Sequence, residues 1–381
     1  MLEKIFKKIF TREGLFCSLL VFTVIISSTS SGNCFTMFEE KDTISELSFS
    51  HDGKKVLFDR CRDEGCQIQV YDLETGELAA YQSPANERWT MARQSYDGKK
   101  IVFSVMPVID RHLDLSEMQI AVMDVDGKNI KKITTGPGAK LYPTFSHSGR
   151  KVLYSRAAYM RKQGKTPAAQ YDAWEVDLAT GTQTELTYFK YFYMGYLTYF
   201  PDDERFIFYG ELPEAFPGLD LPKDNPKKAQ EMIRQEQMKK KVGIGGVLTM
   251  KKGYLLPQDQ YDFGEGFNAE RPLLSKDGSR LIFEKSASAG EFYLYSPDGN
   301  HKHIGGGGSI DSAAISPDGE LLGVISVHLA VDIYKVQDGK PQKSLYLQYA
   351  KKKIVNWEEA YKGSENLYRI IPEKPSRILN R

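Results

Sequence analysis

The amino-acid sequence predicts an all-β fold, a six-bladed β-propeller made of four-stranded antiparallel blades. The first observation is a recurring strand–turn–strand motif, of which ELSFSHDGKKVLF (Glu46–Phe58) is the clearest copy. Successive copies of the turn are separated by 45, 51, 54, 75 and 41 residues, at Asp52, Asp97, Ser148, Asp202, Asp277 and Asp318. Short strands repeated at such a period are typical of propeller blades.

The second observation is a glycine turn after the third strand of every repeat. Glycine adopts the positive φ of a tight hairpin without strain, and a more polar fourth strand follows it. The six glycines are Gly76, Gly127, Gly181, Gly253, Gly299 and Gly339. Residues 342–371 leave open a seventh, degenerate blade. We expect a segment between Ser344 and Ile371 to pair with an N-terminal strand and close the ring, because closure removes exposed sheet edges.

A serine precedes the first turn in five of the six repeats. A serine hydroxyl at this position can bond to the turn backbone, and the aspartate that follows can do the same. The serines are Ser50, Ser95, Ser146, Ser275 and Ser316, with Phe200 as the exception. A role shared by every blade is structural, so we predict no catalytic serine among them. His51 and His147 occupy equivalent turn positions, and we interpret them in the same way.

The motif resembles the TolB-like propeller repeat of exported bacterial proteins. The resemblance extends over residues 44–345 and is carried best by Phe49–Gly53, Thr144–Gly149 and Ser316–Gly319. It implies the propeller fold. Repeats of this kind occur in translocation-associated periplasmic proteins, in peptidase propeller domains and in carbohydrate enzymes, so several functions are compatible with it.

Composition and the N-terminus indicate an exported protein. With 41% hydrophobic residues and a net charge of +1, the chain gives no reason to expect nucleic acid or an anionic membrane surface as its partner. A basic segment leads into the apolar stretch Gly14–Ile26 and then into small residues, so we predict an export signal over residues 1–31. An uncleaved N-terminal anchor is the alternative, and it would be the protein's only membrane contact. Cys34 leaves open a lipoprotein.

Cysteine usage agrees with a periplasmic or envelope location. Cys61 and Cys66 flank a short loop between two strands, where a disulfide can form; reduced structural cysteines are the alternative. If these two cysteines bound a metal ion, a third ligand would be needed, and no cluster of such residues lies close to them in the sequence. We therefore predict neither a metal site nor a cofactor.

We expect one propeller domain over residues 35–371 and a C-terminal tail over 372–381. The fourth blade carries a long insertion, residues 211–246, in which 226–241 are predicted to form a helix after the cap Asn225. This arm is either a lid or partner-docking element, or a solvated helix on the rim of the propeller.

The loops divide between two faces. The turn face carries the short first and third turns of each blade, whereas the loop face carries the longer, more varied connections on which binding residues concentrate. Near the inner ends of the first strands on the loop face, the candidate residues are Arg88, Trp89, Tyr142, Tyr193, Glu270, Arg271 and Asp311. The alternative is that they only line a water-filled channel.

The sequence contains no catalytic constellation, and we predict no catalytic residue. The leading hypothesis is a monomeric, non-enzymatic propeller that binds a protein or a cell-envelope component through the loop face. The competing hypothesis is a periplasmic glycan-processing enzyme with Glu270 and Asp311 at the channel mouth.

Overall fold

A computed structural model describes most of the chain from Asp42 onward. The described residues are Met232 and the ranges 42–62, 65–109, 112–157, 171–187, 193–210, 246–251, 254–255, 269–285, 290–307, 310–326, 330–347 and 367–380. Their strands form six sheets, and the first four strands of every sheet follow one another antiparallel. The insertion 211–246, with its predicted helix, lies outside the described residues except for Met232 and Gly246.

The first three sheets contain β1 to β13, and sheet 1 also contains a C-terminal strand. Sheet 1 begins with β1 (Asp42–Phe49), β2 (Lys55–Arg62), β3 (Gly65–Asp72) and β4 (Leu78–Gln82). Sheet 2 contains β5 (Glu87–Gln94), β6 (Lys100–Ile109), the short β7 (His112–Leu113), β8 (Gln119–Asp124) and β9 (Lys131–Lys132), with a 3-10 turn at Leu115–Glu117. Sheet 3 contains β10 (Lys140–Phe145), β11 (Lys151–Ala157), β12 (Tyr171–Asp177) and β13 (Gln183–Glu185).

The other three sheets repeat the pattern. Sheet 4 contains β14 (Met194–Tyr199), β15 (Arg205–Gly210), β16 (Gly246–Lys251) and β17 (Tyr254–Leu255). Sheet 5 contains β18 (Ala269–Leu274), β19 (Leu281–Lys285), β20 (Glu291–Leu294) and β21 (Lys302–Gly306). Sheet 6 contains β22 (Ile310–Ile315), β23 (Leu321–Ser326), β24 (Ala330–Lys335), β25 (Pro341–Leu347) and β26 (Tyr368–Ile371); β27 (Arg377–Ile378) joins sheet 1.

The first strand of each sheet faces the axis of a ring. These strands contact one another in the order β1, β5, β10, β14, β18, β22 and back to β1. The second strands are buried on both faces between neighbouring sheets. For this reason β6 is apolar from Ile101 to Met106, with Ser104 as the one polar residue in that stretch. The prediction of an all-β propeller with four-stranded antiparallel blades is confirmed.

The serine before each first turn has the predicted structural role. The Ser50 hydroxyl donates to Asp52 Oδ1 at 2.6 Å and accepts from the Lys55 amide at 2.9 Å. The same pair of bonds recurs at Ser95, Ser275 and Ser316. Because the serine hydroxyl joins both sides of the turn, it fixes the hairpin.

The residue that follows the serine makes contacts between the turns of different sheets on the turn face. The Tyr96 ring stacks on the His147 ring at 3.8 Å, and the His147 amide donates to Asp203 of the next sheet. The Lys276 amide donates to the carbonyl of Pro317 at 2.9 Å. Pro317 in turn lies beside the Gly53 turn of sheet 1. Successive turns therefore touch around the axis and narrow the channel at this end.

The C-terminal residues join the last sheet to the first, although not as predicted. Tyr368–Ile371 pairs in parallel with β25 of its own sheet, so this segment does not reach an N-terminal strand. The strand that does so is Arg377–Ile378, which pairs in parallel with Ala79 and Ala80. β26 pairs with β25 and therefore stays in sheet 6. The short connection from Ile371 to Arg377 then leads to sheet 1, where β27 pairs with β4.

Candidate functional site

The channel wall contains a column of bulge residues, one on the first strand of each of the first five sheets. The strand pairing shifts register at each of these positions, which is the mark of a β-bulge. Each residue lies four positions before the turn serine or its equivalent, and the column consists of Glu46, Met91, Tyr142, Tyr196 and Arg271. Sheet 6 has its shift between Ile310 and Ser312.

All five bulge-column residues have left-handed backbone conformations. Their φ angles run from 45° at Arg271 to 58° at Met91, a range that non-glycine residues seldom adopt. The shared conformation belongs to the architecture of the blade. The side chains differ from sheet to sheet, and a bulge re-aims the side chain that it carries. The chemistry of the channel therefore depends on which residues occupy this column.

Glu46 is the acidic member of the column. Burial raises the pKa of its carboxyl to about 7, despite the opposing effect of Arg93, Arg88 and Arg271. Asp311 adds a smaller upward shift. The side chain keeps part of its surface open, so water in the channel can reach it. Charges from three other sheets therefore act on this one carboxyl.

Asp59 is a second acid beside the channel. It belongs to β2 and is fully buried, where its Oδ2 accepts from the Thr90 hydroxyl and from the Met91 amide of sheet 2. Burial, reinforced by the neighbouring Glu46 carboxylate, raises the pKa of Asp59 to about 8. At neutral pH this acid is mostly protonated and links the first two sheets as a neutral group.

The opposite wall holds an ion pair and a group of tyrosines. Arg271 Nη1 lies 2.9 Å from Glu284 Oε2. The hydroxyls of Tyr142 and Tyr193 are 2.9 Å apart, and the Tyr142 ring stacks on the Tyr196 ring at 5.3 Å. Burial raises the pKa of both Tyr142 and Tyr193. These side chains fill this part of the channel.

A small cavity remains between the two walls, with room for about one water molecule. It is lined by Glu46, Arg93, Tyr142, Tyr196 and Ser312, together with the apolar residues Leu47, Met91, Ala92 and Ala313. This cavity is therefore too small for an organic ligand.

The sequence-predicted site residues have different surroundings. Trp89 is buried in the core, packs on Phe103 and donates through Nε1 to Glu87, so a partner cannot reach its ring. This placement follows from strand alternation, which turns it away from its neighbour Arg88. Tyr142 is also buried, but it lines the cavity. The partly exposed residues are Arg88, Tyr193, Glu270, Arg271 and Asp311.

Sequence reasoning missed the residues at the centre of the site. Glu46, Met91 and Tyr196 share the bulge column with two predicted residues, and the spacing of four from the turn serine was visible in the aligned repeats. Arg93 follows from the same alignment, two positions further along the strand. No local signal marks Asp59, because its effect depends on contacts with another sheet.

The predicted disulfide is present. Cys61 and Cys66 face each other across the β2–β3 hairpin and are bonded through their sulfurs, with their Cα atoms 4.0 Å apart. A disulfide indicates an oxidising compartment. Among the described residues there is no group of three or more His, Cys, Asp or Glu that could hold a metal ion. The same part of the chain contains no helix long and apolar enough to cross a membrane.

Comparison with solved structures supports the resemblance found in the repeats. TolB from Acinetobacter baumannii has a TM-score of 0.51 at 16% identity, over 79% of this chain and 62% of that chain. The chain has the fold of a TolB-like β-propeller. Since it spans less than two thirds of that TolB chain and identity is low, the likeness concerns fold alone.

Two further structures are similar at lower scores. A putative TolB from Agrobacterium tumefaciens has a TM-score of 0.46 at 14% identity, covering 75% of this chain and 91% of that one. Oligogalacturonate lyase from Vibrio parahaemolyticus has a TM-score of 0.49 at 13% identity, covering 80% and 79%. No family model matches the chain, and no curated protein matches it.

Proposed function

We propose that the protein is an exported, non-enzymatic propeller that binds a protein or another cell-envelope component through its loop face. The observation that carries this proposal is an apolar β-ribbon on that face, made of the paired residues Val108, Ile109, His112 and Leu113. Ile109 is 53% exposed and Leu113 is 42% exposed. Exposed apolar side chains on a connecting loop are typical of a contact surface for another macromolecule.

The ribbon is held firmly at its base. The Val108 amide donates to the carbonyl of Asn86 at 2.8 Å, and the Asp114 amide donates to the carbonyl of Pro107 at 2.9 Å. Val108 is opposite Leu113, whereas Ile109 is opposite His112, so the two exposed apolar side chains lie on opposite sides of the ribbon. A partner that covers both would enclose the ribbon in a groove.

The test compares two pairs of exposed apolar residues in the same sheet. Val125 and Ile130 are 41% and 46% exposed and belong to the β8–β9 connection on the turn face. Tagged full-length chains would be crosslinked in the native envelope, and their captured partners would be quantified by mass spectrometry. We expect Ile109→Ser with Leu113→Ser to lose partners that Val125→Ser with Ile130→Ser retains. Equal capture by both double variants would contradict the proposal.

Export is part of the same proposal. The predicted signal over residues 1–31 and the Cys61–Cys66 disulfide both support a periplasmic or envelope location. Cell fractionation of the full chain, with free thiols trapped before lysis, tests it. A reduced protein in the cytoplasmic fraction would contradict export.

A glycan-processing enzyme is the second candidate. Two acids with a raised pKa, Glu46 and Asp59, favour it because general acids often have a pKa near the working pH. The cavity beside Glu46 does not favour it, since a sugar ring needs far more space than the one water molecule that fits there. A screen of the purified protein against polysaccharides distinguishes the two, and clear turnover would favour the enzyme.

A further inference from the structure

Three arginines act on one carboxyl of the channel wall, that of Glu46. Arg88 and Arg93 come from β5 and Arg271 from β18, and all three act electrostatically on Glu46. Their partners differ. Arg271 pairs with Glu284 at 2.9 Å, whereas Arg93 Nη1 donates to the carbonyl of Leu197 at 3.2 Å.

Arg88 has an unused donor. Its side chain is partly exposed, but its Nε is buried and has no hydrogen-bond acceptor among the residues that the structure describes. Buried guanidinium N–H groups are normally bonded, because leaving one unpaired is costly. The donor lies within the electrostatic reach of both Glu46 and Asp59.

Asp59 contributes a second unused group. Its Oδ1 is buried and also has no partner within the described part of the chain. Because burial and Glu46 keep the acid protonated at neutral pH, the group can donate a hydrogen bond. Within the described residues, this cluster therefore contains two donors that lack an acceptor.

The charges in the channel point the same way. When Glu46 and Asp59 are protonated, neither acid supplies a negative charge to the three arginines. Arg271 keeps its ion pair with Glu284. Because buried charges in proteins are normally paired, an added carboxylate is favoured most below the pKa of Glu46.

We propose that the loop-face mouth of the channel receives a carboxylate group of the bound partner, which accepts hydrogen bonds from Arg88. A carboxylate is flat and matches the planar fork of a guanidinium, so it needs little space. It enters from the loop face, because touching turn residues narrow the other end. The inference rests on the proposed function, since it names the chemistry that the partner presents at the same face.

Binding of the carboxylate is coupled to protonation of Glu46. The groups that face Glu46 are Arg88 and Arg93 from β5, Asp59 from β2, Arg271 from β18 and Asp311 from β22, with Tyr142 and Tyr196 on the opposite wall. An ionised Glu46 repels a second carboxylate and competes for the same arginines. We therefore expect affinity to fall as the pH rises from 6 to 8.

Two chemical groups can supply this carboxylate, the C-terminus of a polypeptide and a uronic acid of a glycan. Calorimetric titration of the purified full chain would use tri-alanine against tri-alanine amide, and a uronic acid trimer against its methyl ester. We expect one free acid to bind at least roughly tenfold more tightly than its neutral counterpart. Equal affinity within both pairs would overturn the proposal.

Variants test the named residues. Arg88→Gln should weaken binding of the free acid at least roughly tenfold. Arg88→Lys keeps the positive charge but lacks the planar guanidinium, so its affinity should lie between those of the wild type and Arg88→Gln. Arg280→Gln, an arginine of the turn face, should bind like the wild type. Glu46→Gln should lose less affinity than the wild type between pH 6 and pH 8, because Glu46 no longer titrates there whereas Asp59 still does. Unchanged affinity in Arg88→Gln would overturn the assignment even if the free acid binds.

The failure of this inference differs from the failure of the proposed function. The ribbon variant Ile109→Ser with Leu113→Ser should still bind the small free acid, because neither apolar side chain can donate a hydrogen bond to a carboxylate. If that variant loses envelope partners and neither free acid binds the wild type, the proposed docking at the loop face is supported and the carboxylate site is refuted. If a free acid binds but no captured partner depends on the ribbon, the carboxylate site is supported and docking through the ribbon is refuted.

Discussion

The guanidinium of Arg60 donates a hydrogen bond of 2.7 Å to the carbonyl of Pro372, which links β2 to the chain segment just before β27. The same guanidinium donates two bonds of 2.7 Å to Asp42, at the start of β1. Burial by itself would raise the pKa of Asp42, but Arg60 and Arg62 lower it below its usual range. One buried side chain thus ties both ends of the described chain to sheet 1.

Replacing Arg60 should destabilise the protein strongly. Arg60→Leu leaves the Asp42 carboxylate, whose side chain is only 16% exposed, without its two-bond partner. Loss of one member of a buried pair costs about 3–5 kcal/mol. Because Arg62 also contacts Asp42 at 3.2 Å, we expect the free energy of unfolding to fall by about 3 kcal/mol in urea denaturation.

The matched control is Arg205→Leu. Arg205 pairs with Asp202 on the exposed turn of sheet 4, where both side chains are about one third exposed. An exposed ion pair contributes below about 1 kcal/mol. Similar losses in the two variants would show that Arg60 does not secure the ends of the chain.

The contact of the C-terminal segment with sheet 2 can be tested at a glycine. Gly127 has φ +81°, and a Cβ there would lie 2.6–2.8 Å from the Cβ, Cα and N atoms of Asn380. Gly181 occupies the equivalent turn of sheet 3 with φ +73°, and nothing lies within 4 Å of its Cβ position. Alanine strains both turns by about 1 kcal/mol, and at Gly127 overpacking adds about 1–3 kcal/mol.

We therefore expect Gly127→Ala to lower the free energy of unfolding more than Gly181→Ala does. In a chain shortened to end at Glu373, which lacks Asn380, the two substitutions should cost the same. A difference that survives the truncation would mean that Asn380 does not press against the Gly127 turn. Urea denaturation of the six chains, the two parents and their four variants, measures all of these values.

The features that the sequence predicted well are local. The bonds of Ser50 span at most five residues, so they can be inferred from the motif alone. The hairpin of Cys61 and Cys66 is equally local. Such features can be recognised in a repeat because every copy forms the same turn and therefore needs the same residue types.

The features that escaped prediction depend on distant residues. The raised pKa of Glu46 arises from burial among groups on β5, β18 and β22, which the ring brings together. The pairing of Arg377 with Ala79 joins positions about three hundred residues apart through a strand of two residues, too short for a periodic pattern. The bulge column could be aligned, but its five positions hold four different residue types and no glycine, so its conformation had no signature.

Loss of the Cys61–Cys66 disulfide should have a modest effect. The bond closes a loop of six residues, for which the chain-entropy relation gives about 2 kcal/mol. We expect Cys61→Ser with Cys66→Ser to lower the free energy of unfolding by that amount. Dithiothreitol should bring the wild type to the same value and leave the double variant unchanged. A wild type insensitive to the reductant would contradict this expectation.

Asp59 should make stability depend on pH. Its pKa in the folded protein is raised to about 8 from an ordinary value of 3.8, because burial and Glu46 disfavour the charged form. Below pH 3.8 both the folded and the unfolded chain hold the proton, and the full stabilisation is present. Between about pH 4 and pH 8 the unfolded chain releases the proton and the folded chain keeps it, so stability falls as the pH rises.

Asp59→Asn imitates the protonated acid and removes this dependence. Relative to the wild type, the variant should gain up to about 1.4 kcal/mol per pH unit between pH 4 and pH 8, and the gain should level off above pH 8. The control is Asp277→Asn, because hydrogen bonds from Ser275 and the Ser279 amide lower the pKa of Asp277 to about 2. The wild type should therefore lose its Asp277 contribution only as the pH falls below about 4. Parallel pH profiles of the wild type and Asp59→Asn would show that Asp59 is ionised in the folded protein.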